Sequence, residues 1–225
     1  MTVLLQAHSV RKSFAQTEAL RGVSVEISAG EAVAITGPSG SGKSTLLLCL
    51  AGILRPEAGE ITYDHQRLDL LGEADRTRLR RREMGVVLQF GQLVPELTAV
   101  QNVVLPLLLE RHDKASARRA ALSWLERLGA VELADQVPAE LSGGQAQRVA
   151  VARALVTGPR VVFADEPTGA LDTVAGEQVL GQLVSAIRDT GATLVMVTHD
   201  NRVAARADRE IVLRDGVLEG AGVAP

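Results

Sequence analysis

The chain has 225 residues, of which 46% are hydrophobic, and a formal net charge of −3 at pH 7. This length suits one large domain or a domain with a subdomain, and the composition excludes a disordered chain. The slightly negative charge gives no reason to expect a nucleic-acid binder, and a single cysteine, Cys49, excludes an internal disulfide and a cysteine-based metal site.

Short apolar segments bounded by turn residues recur along the chain and predict buried strands. They lie at residues 23–27, 32–36, 85–88, 161–164 and 193–198. Helical periodicity fills much of the sequence between them, and this alternation is typical of an α/β domain. Cys49 lies among four leucines of one such helical segment, which favours a buried packing role over a redox role.

Between the second and third strands, the sequence predicts a helix at 43–52, a short strand or hairpin at 59–70 and a polar helix at Glu73–Glu83. Five arginines lie in the polar helix, at positions 76, 78, 80, 81 and 82. We interpret this run as a solvated helix face rather than a nucleic-acid or lipid contact.

The segment 89–155 differs in character, because it holds helical patterns and no convincing strand. Thr98 and Gln101 have the spacing of a capping box before an apolar run, and residues 113–128 have a helical pattern that stops at a glycine. Trp124 is expected in the core of this segment. We therefore predict one domain, 1–225, with a core of residues 1–88 and 156–225 and an inserted helical subdomain of residues 89–155.

No segment of the sequence predicts a membrane-spanning helix. The longest charge-free apolar stretch, 97–109, has 13 residues and contains Pro106, whereas a spanning helix needs about 20 residues. Residues 1–10 lack the basic start and the long apolar run of a signal peptide.

The sequence Gly37-Pro38-Ser39-Gly40-Ser41-Gly42-Lys43-Ser44, followed by Thr45, is a complete phosphate-binding loop. It lies between a predicted strand and a predicted helix, which is the context that such a loop requires. Its glycines let backbone N–H groups point at phosphate oxygens, and the helix adds its positive N-terminal end. We expect Lys43 to reach the β- and γ-phosphates of a nucleotide and the Ser44 hydroxyl to ligate Mg²⁺.

Three other predicted strands end in residues that suit phosphate chemistry. Asp165, after the fourth strand, is expected to hold Mg²⁺ through water, and Glu166 is expected to accept a proton from the attacking water. His199 follows the fifth strand and is expected to bind the γ-phosphate and to keep Glu166 and the water in line. Gln89, at the end of the third strand, is expected to sense the metal and the attacking water.

Phe14 lies 23 residues before Gly37. Its ring either stacks on an adenine base or packs in the core, and both interpretations stay open. The other histidines, at positions 8, 65 and 112, lack a comparable context and are expected at the surface.

The pentapeptide Leu141-Ser142-Gly143-Gly144-Gln145 predicts a second anion site. Its glycines permit a tight turn, and residues 145–157 have a helical pattern. The Ser142 hydroxyl and the exposed N–H groups of a helix start suit a phosphate. Because the loop at 37–44 already cradles one triphosphate, a second set of donors in the same chain has no phosphate of its own. Two copies packed head to tail would resolve this.

Seven motifs in this order resemble the ATP-binding subunits of ABC transporters, over essentially the whole chain. They are Phe14, the phosphate loop, Gln89, the pentapeptide, the pair Asp165 and Glu166, residues 169–172, and His199. The resemblance implies an α/β fold with a RecA-like P-loop NTPase core, an antiparallel β subdomain and an inserted helical subdomain. It also implies ATP and Mg²⁺ as ligands, ATP hydrolysis, and a head-to-tail homodimer in which Ser142, Gly143, Gly144 and Gln145 of one chain cap the ATP held by the other.

Within the family, residues 89–106 and the tripeptide Pro138-Ala139-Glu140 resemble the lipoprotein-release and macrolide-export branch. Cell-division and peptide-export relatives share much of this pattern. Phe14 replaces a tyrosine that is common in the family, and no catalytic group is missing, so both sites of a homodimer are expected to hydrolyse ATP.

The resemblance implies integral membrane permease subunits as separate partner chains, with this chain as a peripheral subunit on the cytoplasmic face of the membrane. Two alternatives stay open. One is a soluble ABC-type ATPase that acts on nucleic acid or ribosomes, and the other is an ATPase that drives a cell-envelope process without transport. The sequence has neither a long coiled-coil insertion nor a second nucleotide domain, so no nucleic-acid partner is expected.

Overall fold

The computed structural model describes residues 2–89, 91–169 and 171–219. In these residues the strands are β1 (Val3–Phe14), β2 (Thr17–Ser28), β3 (Ala32–Thr36), β4 (Ala58–Tyr63), β5 (Gln66–Arg67), β6 (Met84–Val87), β7 (Val161–Asp165), β8 (Thr193–Val197), β9 (Arg209–Arg214) and β10 (Val217–Leu218). The helices are α1 (Lys43–Leu50), α2 (Glu73–Glu83), α3 (Ala99–Leu109), α4 (Lys114–Arg127), α5 (Gly143–Leu155), α6 (Thr173–Thr190) and α7 (Asn201–Ala204).

The chain divides into two compact units. One runs to Arg80 and resumes at Thr193, and the other is Arg81–Ala192. The division into a core of residues 1–88 and 156–225 and a helical subdomain of residues 89–155 stays a prediction.

The first unit holds an antiparallel sheet and the strands β10, β9, β3 and β8 of a second, mixed arrangement. The antiparallel strands have the order β2-β1-β4-β5, which is the expected antiparallel β subdomain. In the other sheet, β3 lies between β9 and β8 and runs parallel to both. All five residues of β3 are buried, as expected of a parallel strand that is covered on both faces.

β1 has no clear strand signal in the sequence, and its irregular pairing explains why. The register between β1 and β2 shifts at several points, one of them between Ala7 and Val10. Ser9, inside that shift, has a φ of 50°. Such a bulge interrupts the alternation of apolar and polar residues by which a strand is recognised.

The second unit holds the parallel pair β6 and β7, with Val87 opposite Ala164, and the helices α3 to α6. Thr98 begins α3 as predicted, because its hydroxyl accepts from the N–H of Gln101 at 3.4 Å and its own N–H donates to the Gln101 side chain at 2.9 Å. The predicted helix at 113–128 is also confirmed, as α4 has Asp113 and Leu128 as its caps. Between residues 91 and 155, all of them described, there is no strand.

Two expectations about individual side chains are wrong. Trp124 is half-buried and not in the core, because Leu125 and Leu128 fill that position and the Arg127 guanidinium lies 4.3 Å from the indole centroid. Arg76, expected on a solvated face, is 8% exposed and pairs with Glu73.

Candidate active site

The phosphate loop joins β3 to α1, and backbone atoms of neighbouring strands lie directly against it. A Cβ on Gly37 would lie 1.9 Å from the carbonyl oxygen of Leu213, and a Cβ on Gly42 would lie 2.3 Å from that of Ala19. The φ angles of these glycines are 138° and 100°, in the region that L-residues rarely adopt. The packing of β9 and β2 therefore requires glycine at both positions.

Lys43 is held inside this loop. Its ammonium group donates to the carbonyl oxygens of Gly37 and Pro38, each at 2.9 Å, and the residue is only 7% exposed. A Cβ on Gly40 would meet no atom within 4 Å, and the hydroxyl oxygen of Ser41 is buried with no hydrogen-bond partner in the described chain. An open backbone turn, a fixed cation and a spare hydroxyl at a helix start fit a nucleotide phosphate.

His199 lies at the same sheet edge as the phosphate loop. β3 and β8 are parallel neighbours, with Ile35 opposite Val197, and the N–H of Thr198 donates to Ile35 at 3.1 Å. The loop and His199 both follow the carboxyl ends of these strands. The imidazole and the loop therefore lie at one edge of the sheet, where the His199 side chain is exposed.

Phe14 lies at the end of β1 and is 48% exposed. The ammonium group of Lys12 is 5.4 Å from its ring centroid and 3.2 Å from a carboxylate oxygen of Glu57. This exposure contradicts the interpretation of Phe14 as a core residue. Its stacking on adenine stays a prediction.

Gln89 and Glu166 both lie beside Gly169 in the second unit, although they are far apart in sequence. They follow the carboxyl ends of the paired strands β6 and β7. Gly169 lies against both side chains, since a Cβ there would be 3.4 Å from the amide nitrogen of Gln89 and 3.3 Å from the Cβ of Glu166. Asp165 is the last residue of β7, so it lies at this edge as well.

The backbone of Glu166 is in the left-handed region, with a φ of 47°. Its carbonyl oxygen accepts from the N–H of Gly169 at 3.0 Å, which closes a turn directly after β7. Non-glycine residues adopt this conformation at a cost of about 1–3 kcal/mol, and they cluster at functional sites. The turn therefore fixes the direction in which the Glu166 carboxylate leaves the strand.

The pentapeptide forms the start of α5, and the helix begins two residues earlier than predicted. α5 is Gly143–Leu155 and not 145–157, because Ser142 is its N-cap. The hydroxyl of Ser142 accepts from the N–H of Gln145 at 3.3 Å, and the Gln145 side chain accepts from the N–H of Ser142 at 2.8 Å. Both polar side chains are thus used in a capping box, while Gly143 and Gly144 present first-turn N–H groups that have no intrahelical partner.

The pentapeptide also lies beside the first turn of α6. A Cβ on Gly144 would be 3.4 Å from the Cβ of Ala175. α6 begins at Asp172, whose carboxylate accepts from the N–H groups of Val174 and Ala175 at 3.0 Å. The sequence analysis missed this N-cap, although an Asp directly before a helical pattern is a recognisable start signal. Ala170, in the loop before it, lies outside the described residues.

Arg153 is a second residue that the sequence analysis missed. It lies near the end of α5 and donates two hydrogen bonds to the chain just after Gln89, to Gly91 at 2.9 Å and to Gln92 at 3.0 Å. An arginine in a helical pattern has no signal in the sequence that distinguishes such a contact from a solvated side chain.

The expected metal residues, Ser44, Gln89 and Asp165, stay a prediction. In the described ranges no three His, Cys, Asp or Glu side chains cluster in a way that could hold a metal ion. Mg²⁺ at a nucleotide site is usually held by one or two carboxylates together with the substrate phosphates, so Asp165 with a bound nucleotide fits this chemistry. Likewise, none of the helices in the described part of the chain is long and apolar enough to cross a bilayer.

Comparisons with known proteins agree with this geometry. The family model of the ABC transporter matches residues 20–169. The lipoprotein-releasing system ATP-binding protein LolD of Paramagnetospirillum magneticum is 43% identical over 95% of this chain and 96% of its own. The uncharacterized ABC transporter ATP-binding protein YbbA of Escherichia coli K12 is 44% identical, with 96% of each chain covered.

Among solved structures, the ATP-binding cassette MJ0796, a dimer in a post-hydrolysis state bound to ADP and Pi, has a TM-score of 0.90. It is 38% identical and covers 96% of this chain and 97% of its own. The chain therefore belongs to the ABC transporter family, has the P-loop NTPase fold and is an ATP-binding ATPase subunit.

Proposed function

We propose that this chain energises membrane permease chains that release or export a lipid-anchored substrate. The similarity to the lipoprotein-releasing protein LolD, which extends over nearly the whole of both chains, carries this proposal. The chain would be a peripheral subunit on the cytoplasmic face of the membrane. The turn after Gln89 and the helices α3 and α4 would transmit its motion to the permease.

In the proposed reaction, the phosphate loop and Lys43 bind the triphosphate of ATP. Ser44, Asp165 and Gln89 would hold Mg²⁺, which when bound would supply positive charge against the phosphates of the nucleotide. Glu166 takes the proton of the attacking water, and His199 binds the γ-phosphate. Each role suits the strand end or helix start at which the residue lies.

We further propose that two copies pack head to tail, so that each pentapeptide covers the ATP of the other copy. The capping box of α5 supports this, because it keeps the Gly143 and Gly144 N–H groups at an exposed helix start. An anion at such an end is stabilised by the helix dipole. The dimeric state in the MJ0796 structure gives a precedent for such an assembly.

The alternative of a nucleic-acid or ribosome-associated ATPase is not favoured. The arginine run of α2 is the basic feature on which such binding would depend. Its members are paired with carboxylates, Arg76 and Arg80 with Glu73, Arg78 with Asp75, and Arg81 and Arg82 with Glu110. Paired charges attract phosphate backbones weakly, which supports the transport assignment.

The substitution Glu166→Gln tests the proposed chemistry. It removes the proton acceptor and keeps the shape of the side chain, so turnover should fall about 10²–10⁴-fold while ATP binding is retained. Because ATP then persists between the two copies, the variant should form a stable dimer with ATP, measured by light scattering during gel filtration. Glu126→Gln, an exposed change on α4, is the matched control and should behave as the unmodified chain.

Normal turnover in Glu166→Gln would contradict the assignment of Glu166 as the base. The transport assignment has a separate test, which is purification of the tagged chain from native membranes. Recovery of integral membrane permease chains with a large extracytoplasmic domain supports the proposal. Recovery of nucleic acid or ribosomal proteins instead would contradict it.

A further inference from the structure

The turn that carries Gln89 is held from its far side by α5. The N–H of Gly91 donates to Leu88 at 3.0 Å, which closes the turn around Gln89. Gly91 and Gln92 then both have left-handed φ angles, 69° and 43°. Gly91 adopts this region at no steric cost, whereas for Gln92, a non-glycine residue, it is unfavourable unless surrounding contacts hold it.

Arg153 supplies those contacts. Its guanidinium donates to the carbonyl oxygens of Gly91 and Gln92 with two different nitrogens, so the planar fork spans the strained Gln92 and the glycine before it. The side chain is partly buried, and burial lowers the pKa of its guanidinium. Both of these acceptors are backbone carbonyls, which carry no formal charge. They therefore offset only part of the free-energy cost of removing this cation from water.

The body of α5 also packs tightly on the turn. A Cβ on Gly91 would be 3.3 Å from the carbonyl oxygen of Ala146 and 3.4 Å from the side chains of Gln147 and Ala150. Together with Arg153, these residues form one face of α5, at a spacing of three to four residues. Gln147 is 3% exposed, so its side chain is enclosed by the packing between this face and the turn.

On the other side, the Gln89 side chain lies beside Gly169, which also lies against the Cβ of Glu166. The N-cap of the same helix is Ser142. It lies about 16 Å from Arg153 along the helix axis, at a rise of 1.5 Å per residue. We infer that Arg153 is a positioning residue, which fixes the Gln89 turn to the pentapeptide helix so that Gln89 follows any movement of that helix. This inference rests on the proposed role of Gln89 in hydrolysis.

Arg153→Met tests the inference in the full-length chain. It keeps an apolar side chain of similar reach and removes both hydrogen bonds. Misplacement of a catalytic group by about 1 Å can cost about 10²-fold, so kcat should fall roughly 10- to 100-fold, while the affinity for a fluorescent ATP analogue stays unchanged. Arg153→Lys keeps the charge without the fork and should recover part of the loss.

Arg148→Met is the matched control. Arg148 lies on the same helix and also donates to a backbone carbonyl, that of Gly129, at the end of α4. Its loss should affect stability in a comparable way and leave kcat unchanged. Gly91→Ala is an independent probe of the same contact, since it perturbs the turn without removing a charge, and it should lower kcat as well.

The decisive measurement repeats Arg153→Met in a Gln89→Ala background. If Arg153 acts through Gln89, the second substitution should lower kcat by less than about twofold further, because the two effects are not independent. An equal loss of kcat with and without Gln89 would overturn the inference, as would an equal loss in Arg148→Met.

The inference and the proposed function can fail separately. If Gln89→Ala lowers turnover and Arg153→Met does not, the positioning role of Arg153 alone is overturned. If Gln89→Ala has normal turnover, the role of Gln89 and the inference both fall, whereas the result for Glu166→Gln is unaffected.

Discussion

At the scale of single residues, the backbone of neighbouring strands shapes the phosphate loop. Backbone carbonyls of Leu213 and Ala19 occupy the positions that side chains on Gly37 and Gly42 would need. Lys43 lies inside the loop and donates hydrogen bonds to two of its carbonyls. The packing of the neighbouring strands therefore constrains the loop backbone to the path on which phosphate binding depends.

Asp200, next to His199, makes the stability of the fold depend on pH. Hydrogen bonds from the Arg202 side chain and backbone hold the pKa of Asp200 at about 2, below its usual 3.8. A carboxylate whose pKa is lowered by folding stabilises the fold at pH values above its pKa in the unfolded chain. This contribution is lost as the pH falls through its pKa in the folded chain. Asp200 should therefore contribute full stability above about pH 4 and progressively less towards pH 2.

Asp200→Asn tests this, because asparagine keeps an N-cap acceptor for α7 and cannot titrate. Urea unfolding of the variant between pH 2 and pH 5 should show a smaller loss of stability on acidification than the unmodified chain shows. Arg202→Met removes the cation that holds the pKa down and should reduce the same dependence. An undiminished acid-induced loss in both variants would mean that other carboxylates dominate.

At the scale of elements, two capping boxes of the same type begin α3 and α5. Thr98 pairs with Gln101 in the first and Ser142 pairs with Gln145 in the second. Both satisfy helix-end N–H groups that would otherwise lack partners. Only the box of α5 lies in the motif that the family resemblance assigns to ATP. Comparing substitutions in the two boxes therefore distinguishes an effect on stability from an effect on ATP hydrolysis.

Ser142→Ala and Thr98→Ala should each lower the free energy of unfolding by about 1 kcal/mol, measured by denaturant titration. Only Ser142→Ala should lower the ATPase rate as well. In the proposed dimer the start of α5 faces the ATP of the other copy, and Ser142 sets the orientation of that helix start. An equal loss of ATPase activity in Thr98→Ala would reduce Ser142 to a structural cap.

Some elements were predictable and others were not, for local reasons. β3 follows from a continuous apolar run, α2 from a polar run of helix-forming residues, and the start of α3 from its cap residues. β1 was not predicted because its bulge breaks the alternation, and the start of α5 was placed two residues late because glycines rarely begin a helix pattern. The cap of Ser142 decides that start, and it depends on a hydrogen bond rather than on propensity.

At the scale of the whole molecule, the head-to-tail dimer has a direct test by cross-linking. Ser39 and Ser142 are both exposed. Cys49, the only native cysteine, is buried, and burial raises the pKa of its thiol to about 12, so it should not react. A mixture of Ser39→Cys chains with Ser142→Cys chains should therefore form a disulfide-linked or bis-maleimide-linked dimer when ATP is present.

Neither variant alone should form this link in a head-to-tail arrangement, because each loop would face a pentapeptide rather than its own counterpart. Non-reducing gel electrophoresis gives the readout. Equal linking in single-variant samples, or linking that does not depend on ATP, would contradict the arrangement.

The sequence by itself determined the class of this protein, since the phosphate loop and the pentapeptide are local patterns whose residue types and neighbours suffice, while the roles of Asp165, Glu166 and His199 stay predictions. Only the tertiary structure decided which of these groups meet. Gln89 and Glu166 share the surface of Gly169 because β6 and β7 pair in parallel, and Arg153 reaches the Gln89 turn because α5 packs there. Such contacts join residues far apart in the chain, and strand pairing and helix packing set them rather than any local pattern.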